Sequence, residues 1–258
     1  MATTSISYAE PPLLNLVLRR ADDALILGHR LSEWCGHAPM VEEDIALANI
    51  ALDLIGQARS LYDYAARVEN SGLGEDHFAY RREQHQYRNC LLVEQPNGDF
   101  AASIVRQVLF SAFMDLYWRE MMNLRDETLA AIAAKAEKET AYHLRHSAEW
   151  LIRLGDGTEE SHERAQAALD ELWIYSGELF ETDEIERSLI EGGIAPDCSS
   201  LQNGWQKHIE PILREATLTI PSASFMQTGG RSGRHTEHLG YILADLQFLQ
   251  RAHPEAVW

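Results

Sequence analysis

A single stretch decides the fold: residues 126–154 read DETLAAIAAKAEKETAYHLRHSAEWLIRL. Apolar or small residues recur there at steps of three and four, with no internal proline or glycine, which predicts a long amphipathic helix. A carboxylate, a phenol and two imidazoles follow the same steps and therefore share one side of that helix: Glu139, Tyr142, His143 and His146. Such a set resembles the metal-binding helices of di-iron bundles.

Three other stretches have the same helical period. Together with 126–154, they predict core helices at about 13–35, 42–69 and 100–122. The first two and the last two are each separated by a short turn, so each pair is expected to form an antiparallel hairpin. The predicted fold class is therefore all-α, a ferritin-like four-helix bundle built from two antiparallel hairpins.

Further helices are expected towards the C-terminus, at about 158–180, 200–217 with an interruption or kink at Pro211, and 235–251. Residues 1–258 are accordingly predicted to be one ferritin-like helical domain. Three smaller features are also predicted: a short polar helix over 77–92, a helix N-cap at Asp99, and a long irregular connection over 219–234.

The charge of the chain limits the kinds of partner. The 258 residues include 22 basic and 40 acidic side chains, a formal net charge of −18. This balance argues against nucleic-acid or anionic-membrane binding and favours a basic protein partner. Three widely spaced cysteines indicate reduced thiols. Since neither a secretory leader nor an apolar run of about 18 residues is present, a soluble cytoplasmic protein is expected.

The metal-like pattern is incomplete. In di-iron carboxylate bundles two helices carry Glu-x-x-His and two others carry a single acid. Here acids occupy the expected places, but the residues three positions after Asp53 and Glu139, where histidines are expected, are a glycine and a tyrosine. The degenerate di-iron-site positions are Asp23, Asp53, Gly56, Asp115, Glu139 and Tyr142. We therefore predict no metal, cofactor-binding or catalytic residue in this chain. The acids are expected to form hydrogen bonds and ion pairs, with Arg59 and Arg145 as partners.

Two metal-binding alternatives follow from the same residues. One is a ferritin-like di-iron oxidase or oxygenase that carries its own metal site. The other is a small site at His235, Glu237 and His238, at the start of the last predicted helix. For the second, a cap or interface role is favoured because these residues fall in the first turn, beside a glycine-rich segment.

Several long strings resemble a known family: LGHRLSEWCGHAP (27–39), ALANIALDLIGQAR (46–59), LLVEQPNGDFA (91–101), KETAYHLRHSAEWLIRLGDGTEESHERAQAAL (138–169) and GRHTEHLGYILADLQFLQRAHP (233–254). They are similar to the C-subunit family of the bacterial phenylacetyl-CoA 1,2-epoxidases, also called ring 1,2-phenylacetyl-CoA oxygenases. The resemblance covers nearly the whole chain.

The resemblance implies a place in a multicomponent monooxygenase of aerobic phenylacetate breakdown. It implies that a homologous catalytic A subunit holds the di-iron centre, and that a reductase with FAD and an iron–sulfur cluster supplies electrons from NADPH. The C-type chain is then the non-catalytic structural partner, without a cofactor of its own, in a hetero-oligomer that also includes small accessory subunits. A self-dimer of the isolated chain is a further expectation.

The predicted docking surface lies on the helix at 100–122, which is apolar on nearly all sides. Tyr117 and Trp118 are expected to be exposed there and to anchor the partner, since large aromatic side chains are favoured in interface cores.

Overall fold

The computed structural model describes residues 5–223, 225–254 and 256. Within this part of the chain the regular structure is helical, and ten α-helices follow one another: α1 Pro12–Ser32, α2 Val41–Glu69, α3 Glu75–Tyr80, α4 Leu91–Glu94, α5 Phe100–Met121, α6 Glu127–Gly155, α7 Glu159–Leu172, α8 Glu184–Glu191, α9 Cys198–Glu215 and α10 Glu237–Ala252. The all-α prediction is confirmed, and the four predicted core helices correspond to α1, α2, α5 and α6.

The four long helices associate as two hairpins. α1 packs along α2, α5 packs along α6, and α2 contacts α6 across the pairs. Later and shorter elements then cover the two inner helices: α4 and α8 lie on α1, while α7 and α9 lie on α5. As a result α1 and α5 are buried along most of their length, whereas α2 and α6 each keep an exposed side.

Helix α5 illustrates how composition determines position. By length and composition it could cross a membrane, but most of it is buried inside the protein, as is usual for a helix that is hydrophobic all round in the middle of a core. Its start is set by Asp99, whose carboxylate accepts a hydrogen bond from the Ala102 amide, as predicted for an N-cap. Asp126 caps α6 in the same way, by accepting from the Leu129 amide.

The prediction for Tyr117 and Trp118 is wrong. Their side chains are 0% and 1% exposed, and their rings meet edge to face with centroids 5.2 Å apart. Trp118 is among the largest fully buried side chains of the protein. Because the elements that follow in the chain cover α5, its aromatic residues belong to the core and are not available to a partner.

The predicted helix at 77–92 is also wrong. The chain forms α3, a 3-10 turn at Gln84–Gln86 and the four-residue α4, with extended backbone between them. The amides of Arg88 and Cys90 donate to Asp22 and Asp23 of α1. A helix over this segment would use those amides internally, so the tertiary bonds to two buried carboxylates replace it.

The three helices predicted in the C-terminal half are present as α7, α9 and α10, and α7 is shorter than predicted. α7 ends at Leu172 and two 3-10 turns follow, Trp173–Tyr175 and Gly177–Phe180. α9 continues through Pro211 to Glu215 without the predicted interruption.

The connection at 219–234 is irregular, as predicted, apart from a 3-10 turn at Gly230–Ser232; Ser224 lies outside the described residues. It packs on its own chain, since the Gly229 amide donates to Glu178 and a Cβ on Gly230 would lie 2.2 Å from the Asn89 carbonyl oxygen.

Candidate functional site

Polar side chains join α2 to α6 at three levels. Glu43 pairs with His146 at 2.9 Å, Asp53 with His143 at 3.0 Å, and Gln57 donates to Glu139 at 2.9 Å. The two helices run in opposite directions, so higher residue numbers on α2 pair with lower residue numbers on α6. Asp53 and Glu139, the two acids expected at the ligand positions, therefore do lie close together, on facing sides of neighbouring helices.

A cation stands beside these acids. Lys135, one helical turn before Glu139, places its Nζ 3.4 Å from a Glu139 oxygen. The same Nζ is the nearest atom to the position that a Cβ would take on Gly56, at 4.0 Å. Because Gly56 has no side chain, there is open space next to it, and the Lys135 ammonium lies at the edge of that space. Gly56 also offers no side-chain atom that could bind a metal.

Tyr142 does not point into the bundle. Its side chain is 42% exposed, its ring stacks on His146 with centroids 6.1 Å apart, and the Arg145 guanidinium lies 5.5 Å from the ring centroid. A phenol on the outer side of α6 cannot act as a ligand to a metal held between the helices.

The two remaining predicted positions lie apart from this pair. Asp23 is fully buried on α1 and accepts from the Cys90 amide at 2.8 Å and from Arg231 and Arg20 at 2.8 and 3.2 Å. Asp115 on α5 accepts from Arg119 at 3.0 Å. Burial raises the pKa of Asp115, an effect that the nearby Arg119 partly opposes. The six positions predicted from the sequence are therefore not gathered into one site.

The predicted partners of the acids also require correction. Arg59 pairs with Glu75, at 3.0 Å, and Arg145 lies over Tyr142. The partners of Asp53 and Glu139 are instead His143, Gln57 and Lys135. Arginine was expected because it stands near each acid in the sequence, but the packing of α2 against α6 selects residues on the facing helix.

A buried ionic cluster around Asp22 of α1 was not predicted from the sequence. Asp22, which is 0% exposed, accepts from the Tyr62 hydroxyl at 2.5 Å, from Arg82 at 3.0 Å and from the Arg88 amide at 2.7 Å. Burial raises the pKa of Tyr62, and the Asp22 charge adds to that effect. The signal in the sequence was the pair of aspartates inside an otherwise apolar helix. Because the cations come from distant segments, the sequence could not show their role.

His235, from the second metal-like pattern, is bound within the protein just before α10. His235 is fully buried, and its two ring nitrogens lie 2.8 Å from a Glu94 oxygen and 3.0 Å from the Tyr87 carbonyl oxygen. Glu94 also accepts from the amide and the hydroxyl of Thr236, the residue before α10. Both ring nitrogens of His235 therefore have partners within the chain. The N-cap residue of α10 is Thr236, which makes no side-chain cap hydrogen bond, so the cap role stays a prediction.

The donor set does not fit a di-iron group. Such a group needs several carboxylates and two imidazoles that converge between four helices. Here each imidazole is paired with a different acid, and Glu139 is shared between an amide and an ammonium. Among the residues that the structure describes, no group of three or more His, Cys, Asp or Glu side chains is placed to hold a metal ion.

The surface next to these pairs is a groove of about 750 Å³ between α2 and α6. Small residues line it on both helices, Gly56 and Ser60 on α2 and Ala131 and Ala136 on α6. The charged side chains Arg59, Asp63, Glu127 and Lys135 surround them. The groove is therefore lined by small residues in its middle and by side chains of both charges around them.

Comparison with known proteins assigns the chain to a family. A family model described as "Phenylacetic acid catabolic protein" matches residues 1–258. The chain is 49% identical over 241 residues to the C subunit of 1,2-phenylacetyl-CoA epoxidase from Escherichia coli (strain K12), an alignment that covers 93% of this chain and 97% of that protein. On this evidence, the chain belongs to the phenylacetic acid catabolic protein family.

Proposed function

We propose that this chain is the non-catalytic structural subunit of a phenylacetyl-CoA 1,2-epoxidase and that it supports a homologous catalytic subunit holding a di-iron centre. The observation that carries the proposal is the pairing at the degenerate site. Glu139 is bonded to Gln57 and Lys135, and Asp53 is bonded to His143. The name of the Escherichia coli relative, a lettered subunit of an epoxidase, supports an assembly with other subunits.

In this proposal the oxygen chemistry takes place in the partner. The partner's di-iron centre would supply the activation of dioxygen. One oxygen atom would be added across the ring C1–C2 bond as an epoxide and the other would leave as water, with two protons from solvent and two electrons from NADPH through an FAD and iron–sulfur reductase. The residues of this chain have a mechanical role. Hydrogen-bonded polar pairs join α2 to α6 at three levels, and a neighbour held together in this way can keep the ligand-bearing helices of a catalytic bundle in position.

Lys135 is central to the contrast with a metal-bearing bundle. In a di-iron site the charge of the carboxylates is balanced by the metal ions. Here a lysine ammonium lies 3.4 Å from Glu139 and balances that carboxylate without a metal. The electrostatic requirement of the acid is therefore met by the chain itself.

Metal analysis of the purified chain, after anaerobic incubation with ferrous iron and desalting, tests the proposal. We expect far less than one iron per chain. A content of about two irons per chain that is lost in Glu139→Ala would overturn the non-catalytic assignment and favour a metal site in this chain.

A second measurement concerns support of the partner. The assembled enzyme, supplied with reductase and NADPH, should turn over at nearly the parent rate when it contains Glu139→Gln, because no chemical step passes through this residue. A purified catalytic subunit that epoxidises phenylacetyl-CoA at the full rate without this chain would overturn the supporting role.

A further inference from the structure

The exposed apolar residues of α2 form one stripe. Val41, Ile45 and Leu52 are 72%, 58% and 66% exposed, and their spacing of four and seven residues places them on the same side of the helix. Scattered exposed apolar residues are ordinary on a protein surface, but a contiguous row on a single helix is not. The row lies on the exposed side of α2.

The groove between α2 and α6 continues this surface. Gly56 extends the stripe by four residues beyond Leu52 and opens into the groove. On the opposite wall, Ala131 and Lys135 of α6 border the groove, and Tyr142, two turns further along, is 42% exposed. We call this combined surface the α2/α6 face: Val41, Ile45, Leu52 and Gly56 on α2, with Ala131, Lys135 and Tyr142 on α6.

The α2/α6 face has the dimensions of a protein interface. α2 and α6 contain 29 residues each, which corresponds to about 43 Å at about 1.5 Å per residue. Two such helices, about 10 Å wide each, offer roughly 800–900 Å², and a standard stable complex buries about 800 Å² on each partner. Small residues along the groove allow a neighbouring helix to approach closely, as in helix packing at 8–10 Å between axes.

We propose that the α2/α6 face is the docking surface for the homologous di-iron subunit, which lays one of its helices in the groove against the Leu52 stripe. The inference rests on the proposed function, because that function supplies the partner. The apolar stripe and the length of the face favour a rigid helical bundle of similar size over a short peptide. In a di-iron bundle the counterparts of α2 and α6 carry the Glu-x-x-His ligands. Contact through this face therefore places the chain next to the helices of the catalytic subunit that hold its metal ligands.

The interaction of purified subunits provides the test, with Leu52→Glu and Phe248→Glu as a matched pair. Both replaced side chains are strongly exposed, 66% and 71%, so both variants should fold and melt like the parent. We expect Leu52→Glu to weaken binding to the catalytic subunit on the order of 30-fold or more, the effect of losing an interface anchor. Phe248→Glu, on α10, should leave the affinity within about twofold of the parent.

A second pair tests the groove. Ala131→Arg places a large side chain where the partner helix is expected, whereas Ala134→Arg makes the same change at another exposed position of α6 that does not line the groove. Only Ala131→Arg should abolish co-elution with the catalytic subunit in size-exclusion chromatography. Circular dichroism of each variant verifies that the helices are intact.

The outcomes separate the two proposals. If the parent chain binds no catalytic subunit, the proposed function itself is contradicted. A parent chain that binds, with Leu52→Glu and Ala131→Arg binding equally well, overturns the α2/α6 face while leaving the function intact. Light scattering that shows a parent homodimer which Leu52→Glu dissociates, with binding to the catalytic subunit unchanged, assigns the face to a second copy and also overturns the inference.

Discussion

Replacement of Asp22 with Asn should strongly destabilise the protein. The carboxylate is 0% exposed and accepts from the Tyr62 hydroxyl, the Arg88 amide and the guanidinium of Arg82. Asparagine has nearly the same volume but no charge, and its NH2 group would face donors. The substitution therefore removes the anion while leaving the surrounding structure in place.

The magnitude follows from the burial of Arg82, which is also 0% exposed. Its other hydrogen bonds go to the carbonyl oxygens of Phe78 and Gln86 and to the Tyr62 hydroxyl, none of which carries a compensating charge. Removal of one partner from a buried ion pair typically costs about 3–5 kcal/mol. The total stability of a domain is only about 5–15 kcal/mol, so the effect is a large fraction of it.

The matched control is Asp53→Asn. This carboxylate also has one cationic or imidazole partner, His143, but its side chain is 39% exposed. Water reaches the Asp53 end of this pair, although His143 itself is only 1% exposed, and pairs that water reaches contribute about 0–1 kcal/mol. The large cost that is typical of a buried pair is therefore expected at Asp22 and not at Asp53.

Urea unfolding at pH 7, followed by circular dichroism, measures both effects. Asp22→Asn should lower the free energy of unfolding by several kcal/mol, and the addition of Arg82→Met should restore part of the loss because the orphaned charge is removed. Equal stabilities of Asp22→Asn and Asp53→Asn would refute the reasoning, as would a double variant that is less stable by the sum of the two single effects.

Three further predictions follow from burial. Trp118→Ala should lower the free energy of unfolding by about 3–5 kcal/mol, while the folded fraction still binds the catalytic subunit with the parent affinity. A variant with the parent stability that no longer binds the catalytic subunit would show that Trp118 is an interface anchor after all. Because burial raises the pKa of Asp115 above its ordinary value of 3.8, the folded state holds this proton more tightly than the unfolded state, and stability falls as pH rises from about 4 through the folded pKa. Asp115→Asn should therefore gain stability relative to the parent over that window, whereas parallel pH profiles would contradict the assignment. A thiol reagent should titrate one cysteine of the native protein, the exposed Cys35; Cys90 and Cys198 are buried, and burial raises the pKa of Cys198 to about 11, so their reaction should require denaturant.

The long helices could be predicted because their periodicity is local. A stripe of apolar residues over 20 to 30 positions, bounded by Asp99, Asp126 or Thr158 as caps, leaves little choice of structure. The same local information placed α5 in the core but also assigned Trp118 to the surface. The second inference contradicted the first, since a helix that is apolar on all sides is expected to be buried on all sides.

Contacts between distant segments could not be predicted. The segment at 77–92 has a helical composition, yet its amides serve the carboxylates of Asp22 and Asp23, more than 60 residues earlier. The partners of Asp53 and Glu139 depend on how α2 crosses α6, so a sequence-adjacent arginine was a poor guide. The sequence shows that Gly56 and Tyr142 stand where histidines are expected, but it does not show that Lys135 lies beside Glu139, because that contact appears only when the side chains are placed.

The polar pairs of the α2/α6 interface have a consequence for how the helices align. Buried or half-buried ion pairs often contribute less stability than apolar residues of the same size, so stability alone does not account for three polar levels. Glu43–His146, Asp53–His143 and Gln57–Glu139 are ordered along both helices. A shift of α2 by one turn, about 5.4 Å, would separate all three pairs at once and break their hydrogen bonds. The ladder therefore specifies a single alignment of α2 against α6, and with it the relative positions of the Leu52 stripe and the groove that together form the α2/α6 face.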